Sequence, residues 1–189
     1  MKRFHIYASP QFLLFAALLF FFDTTGLVSA AVPAAAVHEL GHVLALRLCG
    51  CRIRKLEMRI FGFSMDYSGN LTRMQEVFSA LAGPMGGFIF AALSHLAGTM
   101  LESEFLLCTA DISLILSVFN ILPALPLDGG RILSCLAGEQ RAAWVTTAVA
   151  VAMMFLGLML MAKGYGAALL LSGTWLSLYS CKISADVVK

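Results

Sequence analysis

Apolar residues run along this chain in long blocks separated by short polar breaks. A bilayer core of about 30 Å takes about 20 apolar residues of helix. Blocks of that kind predict six spans. The first, about Pro10 to Phe22, is short unless Ile6 to Ser9 extend it. Asp23-Thr24-Thr25-Gly26 is a turn, and the second span runs from about Leu27 to Leu48. The others cover about Glu76 to Ala97, Phe105 to Leu122, Ala142 to Ala162 and Tyr165 to Cys181. Between the second and third, the pattern changes to period two. Leu56, Met58 and Ile60 alternate with Glu57 and Arg59, and Phe61, Phe63, Met65 and Tyr67 with Gly62, Ser64 and Asp66. That predicts two short strands at the membrane interface with a phase slip near Gly62. They form either a hairpin that covers the helix ends or an exposed edge that pairs with an extended peptide.

The expected fold class is thus an all-α integral membrane protein, six transmembrane helices with a short interfacial β-hairpin after the second. Composition agrees: 60% of the residues are hydrophobic, 13% charged, and the mean hydropathy is +0.86. Soluble domains are about a quarter charged. The expectation is one membrane-embedded domain over residues 1–189, with neither a soluble regulatory domain nor a nucleic-acid partner. Met1-Lys2-Arg3 before Phe12 to Phe22 imitates a signal peptide, but the next block is itself a span that needs this one for its orientation. The five Cys form no disulfide framework by count or spacing.

Positive charge sets the direction. With the N-terminus in the cytoplasm, Lys163 alone of the 13 Lys and Arg lies outside. The protein is then a multi-pass protein of the cytoplasmic membrane with both termini inside. His95 and Asp111 fall toward the outer leaflet and read as boundary residues; His5 is interfacial.

The second span carries His38-Glu39-Leu40-Gly41-His42. Two His at i and i+4 share one helix face and can hold one Zn²⁺. Glu39, beside them, can take a proton from the hydrolytic water. Ionisable groups inside a span are costly and mark function. His38 stands about ten residues, or roughly 15 Å, into its helix, near mid-membrane or slightly cytoplasmic of it. A catalytic zinc needs a third protein ligand. Asp128 is the candidate, in Asn120-Ile121-Leu122-Pro123-Ala124-Leu125-Pro126-Leu127-Asp128-Gly129-Gly130-Arg131. Two prolines loosen the backbone there, and the glycines allow close approach. A plain turn is the other reading of Asp-Gly. Asn120 could serve an oxyanion or the proline-broken backbone. Ala82-Gly83-Pro84-Met85-Gly86-Gly87 gives a G-x-x-x-G spacing at Gly83 and Gly87, which predicts tight packing of the third helix against the two ligand-bearing ones.

The H-E-x-x-H motif, the Ala82-Gly83-Pro84 patch and the Asn120 to Arg131 motif, in that order, resemble the site-2 protease family of intramembrane zinc metalloproteases. Within the family the chain resembles the compact bacterial branch that includes the sporulation pro-sigma-factor processing protease. The resemblance covers a catalytic core of about residues 27–136. It implies His38, His42 and Asp128 as zinc ligands, Glu39 as catalytic carboxylate and Asn120 as a substrate-binding residue. It also implies a transmembrane or membrane-tethered protein substrate, a lipid-bilayer setting and a regulatory membrane protein as further partner. The PDZ and CBS domains of some members are not expected here. Two other classes remain: a membrane metal or proton transporter, and an inactive relative that binds membrane proteins. Polar residues clustered at one level argue against the first, and the intact Glu39 argues against the second.

Overall fold

The computed structural model describes residues 5–59 and 62–187. Its elements are β1 (His5–Ala8), α1 (Pro10–Phe22), α2 (Leu27–Leu48), β2 (Arg52–Arg59), β3 (Gly62–Ser68), α3 (Arg73–Met100), α4 (Glu104–Ile121), α5 (Asp128–Ala137), α6 (Glu139–Ala162) and α7 (Ala168–Val187). They fall into two units, Met1–Val118 and Phe119–Lys189.

In the first unit, α1 starts where Ser9 accepts a hydrogen bond from Phe12 N–H at 3.2 Å and Pro10 opens the first turn. The α1–α2 turn is built on Asp23. Its carboxylate accepts from Leu27 N–H at 3.1 Å, Val28 N–H at 2.8 Å and the Thr25 hydroxyl at 3.0 Å, meeting the open donors of α2. Desolvation pushes this carboxyl up. The hydrogen bonds from Val28, Thr25 and Leu27 outweigh it and hold the group below its ordinary value of 3.8. A depressed carboxyl stabilises the fold above its unfolded pKa and loses that contribution as pH falls through the folded one. Asp23→Ala should therefore lower the melting temperature in detergent at neutral pH. The gap to wild type should close only below pH 3.8, in melts followed by circular dichroism across that range.

The helix α3 begins at a capping box in which Gln75 N–H donates to the Thr72 hydroxyl at 3.3 Å and Thr72 N–H to Gln75 Oε1 at 2.9 Å. The sheet has the order β1-β2-β3, with β1 parallel and β3 antiparallel to β2. Register pairs Ile6 with Leu56 and Leu56 with Met65 in one apolar row. Neighbouring rows are polar, Tyr7–Glu57–Ser64 and His5–Lys55–Asp66. Lys55 ties them together, 3.2 Å from Glu57 and 5.1 Å above the Tyr7 ring.

The chain is mostly helical, and its small sheet has three strands where two were expected. His5–Ala8 pairs as a strand, so Ile6 to Ala8 do not lengthen the first helix. A register shift between Ile53 and Lys55 leaves Arg54 as the extra residue, and the slip expected near Gly62 falls at Ile60 and Phe61, which lie outside the described residues.

In the second unit, the segment after α4 turns through Pro123 and a cis Leu125–Pro126 bond into α5, a helix not expected from the hydropathy pattern. Ala124 and Leu127 pack with Ala150 and Met153 of α6 and Leu176 of α7. Gly157 and Gly173 sit at the α6–α7 contact, where a Cβ on Gly157 would meet Leu170 and one on Gly173 would meet Met154.

Among the described residues, four helices are long and apolar enough to cross a membrane: α2, α3, α4 and α6. Pro10–Phe22 and Ala168–Cys181 are apolar but shorter. Their outer faces are large and apolar, as lipid-facing surfaces are: Leu14, Phe21, Ile115 and Phe155 are all exposed. The chain is a membrane protein. His95 and Asp111 are exposed on α3 and α4.

Candidate metal centre

The first unit brings His38 and His42 together on one face of α2. Both are 4% exposed, and their Nε2 atoms stand 3.2 Å apart. The i, i+4 spacing brings the two rings together edge to face, with centroids at 4.9 Å and planes at 77°. The neighbouring helix decides which nitrogen of His42 faces His38. His42 Nδ1 lies 2.7 Å from the Ser79 main-chain carbonyl of α3. A carbonyl only accepts, so Nδ1 carries the proton and donates. In the neutral ring, Nε2 then holds the lone pair, turned toward His38. A ligating imidazole is oriented in this manner by the hydrogen bond at its other nitrogen.

Glycines make the approach of α3 possible. A Cβ on Gly83 would run into the His42 ring, and one on Gly41 would run into the Ala82 carbonyl. The middle of the H-E-x-x-H motif and the Ala82-Gly83-Pro84 patch are thus two sides of one contact. Gly87, four residues on, faces the other neighbour. A Cβ there would meet the Ser117 hydroxyl of α4, and Ser113 Oγ donates to the Gly87 carbonyl at 2.9 Å. Gly83 serves α2 and Gly87 serves α4, which gives the predicted packing of the third helix a specific form. Glu39 is half-buried on α2, next to His38.

The second unit holds Asp128 and Asn120. Asp128 is the first residue of α5 and 6% exposed. A carboxylate is favoured at a helix start. Arg131, one turn on, places Nη1 3.3 Å from Asp128 Oδ1. Gly129 and Gly130 let α5 begin directly against the proline segment: a Cβ on the first would meet the Ile121 and Leu122 carbonyls, and one on the second the Ala124–Leu125 peptide. Asn120 is half-buried on the last turn of α4. Ser79 and Arg131 were not singled out by sequence reasoning. Ser79 acts through its main chain, which leaves no signature in residue type. Arg131 at i+3 from an Asp on a short helix could have been found by the spacing rule for helical ion pairs.

A buried His pair on a helix long and apolar enough to cross a membrane, with one tautomer fixed by a neighbouring carbonyl, is an arrangement suited to holding a metal ion. Known proteins narrow the class. Residues 99–163 match the model of peptidase family M50. The chain is 30% identical over 123 residues to a protein of Synechocystis named as a zinc metalloprotease, covering 60% of this chain and 32% of that one. It is 29% identical over 109 residues to a zinc metalloprotease of Methanocaldococcus jannaschii, covering 55% and 32%. The match thus spans about a third of these relatives, 32% of each. The fold is that of the site-2 protease from Methanocaldococcus jannaschii, with a TM-score of 0.70 at 24% identity over 97% of this chain and 92% of that one. The likeness in sequence is thus to zinc metalloproteases and peptidase family M50, and the likeness in fold is to a site-2 protease.

Proposed function

We propose that the protein is an intramembrane zinc metalloendopeptidase that cleaves a membrane-associated protein within or near its transmembrane segment, in regulated intramembrane proteolysis. The observation that carries this reading is the pair of Nε2 atoms 3.2 Å apart, with the far nitrogen of His42 committed to the Ser79 carbonyl. Asp128 is the third ligand in this reading. Two imidazoles and one carboxylate, all three buried, are a donor set that fits zinc. When bound, zinc supplies Lewis acidity, polarising a carbonyl and lowering the pKa of water. Glu39 takes the proton from the attacking water and returns it to the leaving amine. Asn120 donates its side-chain N–H to the substrate carbonyl as negative charge develops there.

The substrate is a transmembrane or membrane-tethered protein. Its helix hides the scissile carbonyl in a backbone hydrogen bond, so the segment unwinds before attack. An unwound segment needs main-chain partners, and β1 and β3 are edge strands that carry them. The setting is the cytoplasmic membrane, with six spans and both termini inside, supported by the one-sided distribution of Lys and Arg.

The test uses the purified full chain in detergent and a membrane-tethered substrate. One zinc per chain is expected. Cleavage should stop when a chelator strips the metal and return with added zinc. Cleavage that continues in protein shown to be zinc-free would overturn the reading.

A further inference from the structure

We infer that Thr146 of α6 is a positioning residue for Asp128: its hydroxyl pins the proline segment ahead of α5 and so sets where the carboxylate is presented. The inference rests on Asp128 being a metal ligand.

Pro123 and Pro126 bring no N–H, so Leu122, Ala124, Leu125 and Leu127 carry the donors of this segment. Leu122 donates to the Phe119 carbonyl at 3.2 Å, Ala124 to Leu122 at 2.7 Å and Leu127 to Ala124 at 2.9 Å. These bonds stay within the segment and the helix end before it. Leu125 N–H reaches instead to another element, the Thr146 hydroxyl at 2.8 Å. Thr146 is 0% exposed, and its hydroxyl donates to the Ala142 carbonyl at 2.7 Å. The proton is therefore engaged along α6, and the lone pair is left to accept from Leu125. The apolar contacts of Ala124 and Leu127 with Ala150, Met153 and Leu176 are non-directional and permit sliding. The hydrogen bond is directional and fixes the register. Asp128 follows Leu125 by three positions, and Gly129 and Gly130 press α5 onto the main chain of Ile121 to Leu125. A shift of the segment against α6 would reach the carboxylate directly.

The experiment measures zinc affinity of the full chain in detergent, by competition with a chromophoric chelator, beside the melting temperature of the metal-free protein. Thr146→Val keeps the shape and removes the acceptor. It should weaken zinc binding by about 10–100-fold, the range for partners one step removed from a ligand, and Thr146→Ser should restore affinity to within about twofold. A role in stability alone would lower the metal-free melting temperature and leave zinc affinity unchanged, and that result overturns the inference. If Thr146→Val does not fold, Thr146→Ala against Thr146→Ser decides in the same terms. Asp128→Ala separates the two readings. If it binds zinc as wild type does, the ligand assignment falls, and the inference with it. If it loses zinc while Thr146→Val does not, the positioning role alone falls.

Discussion

Glu39→Gln should keep its zinc and lose about 10²–10⁴ of its cleavage rate, the usual share of general acid–base catalysis. Glutamine has the shape of glutamate and fits the same half-buried place on α2. It leaves His38, His42 and Asp128 untouched, so metal content should stay at one per chain. What it lacks is a group that can take a proton at neutral pH. The check is elemental analysis of the purified variant beside cleavage of a membrane-tethered substrate. An active variant would remove Glu39 from the proton-transfer role. In cells the same variant should make the uncleaved precursor accumulate, and membrane proteomics against wild type would identify it.

Gly83→Ala should damage both the metal site and the fold through one added methyl group. The new Cβ occupies the place of the His42 ring. Either the imidazole leaves the Ser79 carbonyl, or α3 backs away from α2. Overpacking of this kind costs about 1–3 kcal/mol, and loss of the orienting hydrogen bond costs about 10–100-fold in metal affinity. Gly86→Ala is the contrast on the same helix. Its Cβ would lie 3.6 Å from the Val37 carbonyl, an ordinary contact, and should change little. Thermal melts and zinc competition on both variants check the pair. Equal zinc affinities would mean that Gly83 is not the seat of the His42 ring.

The long helices were legible because hydropathy alone marks them. The expected bounds of the first two spans coincide with α1 and α2. The third helix starts three residues before the expected Glu76, at Arg73, since Thr72 and Gln75 form a cap that hydropathy does not register. The short β1 was missed because a strand of 4 residues owes its existence to Lys55–Met58, some 50 positions away. The helix α5 was missed because Gly129 and Gly130 are poor helix formers; they are there for close approach. At the site, the His pair was legible in a five-residue pattern. The Ala82-Gly83-Pro84 patch announces the close packing of the third helix but not the His42 ring it makes room for, since a spacing of small residues does not say what fills the gap. The Thr146 tether to Leu125 joins positions 21 apart through one hydroxyl and carries no local signal.

The acceptor that fixes the His42 tautomer belongs to the main chain of residue 79. Every residue type carries that carbonyl, so replacing the Ser79 side chain leaves the acceptor in place. Ser79 is 2% exposed, so any residue small enough for that place keeps the same protonation pattern on the ring. The count of residues has no such latitude. One residue inserted between Ser79 and Gly83 would rotate the carbonyl by about 100° around α3, away from His42, while the glycine gap stayed behind. The site is tolerant of spelling and intolerant of spacing.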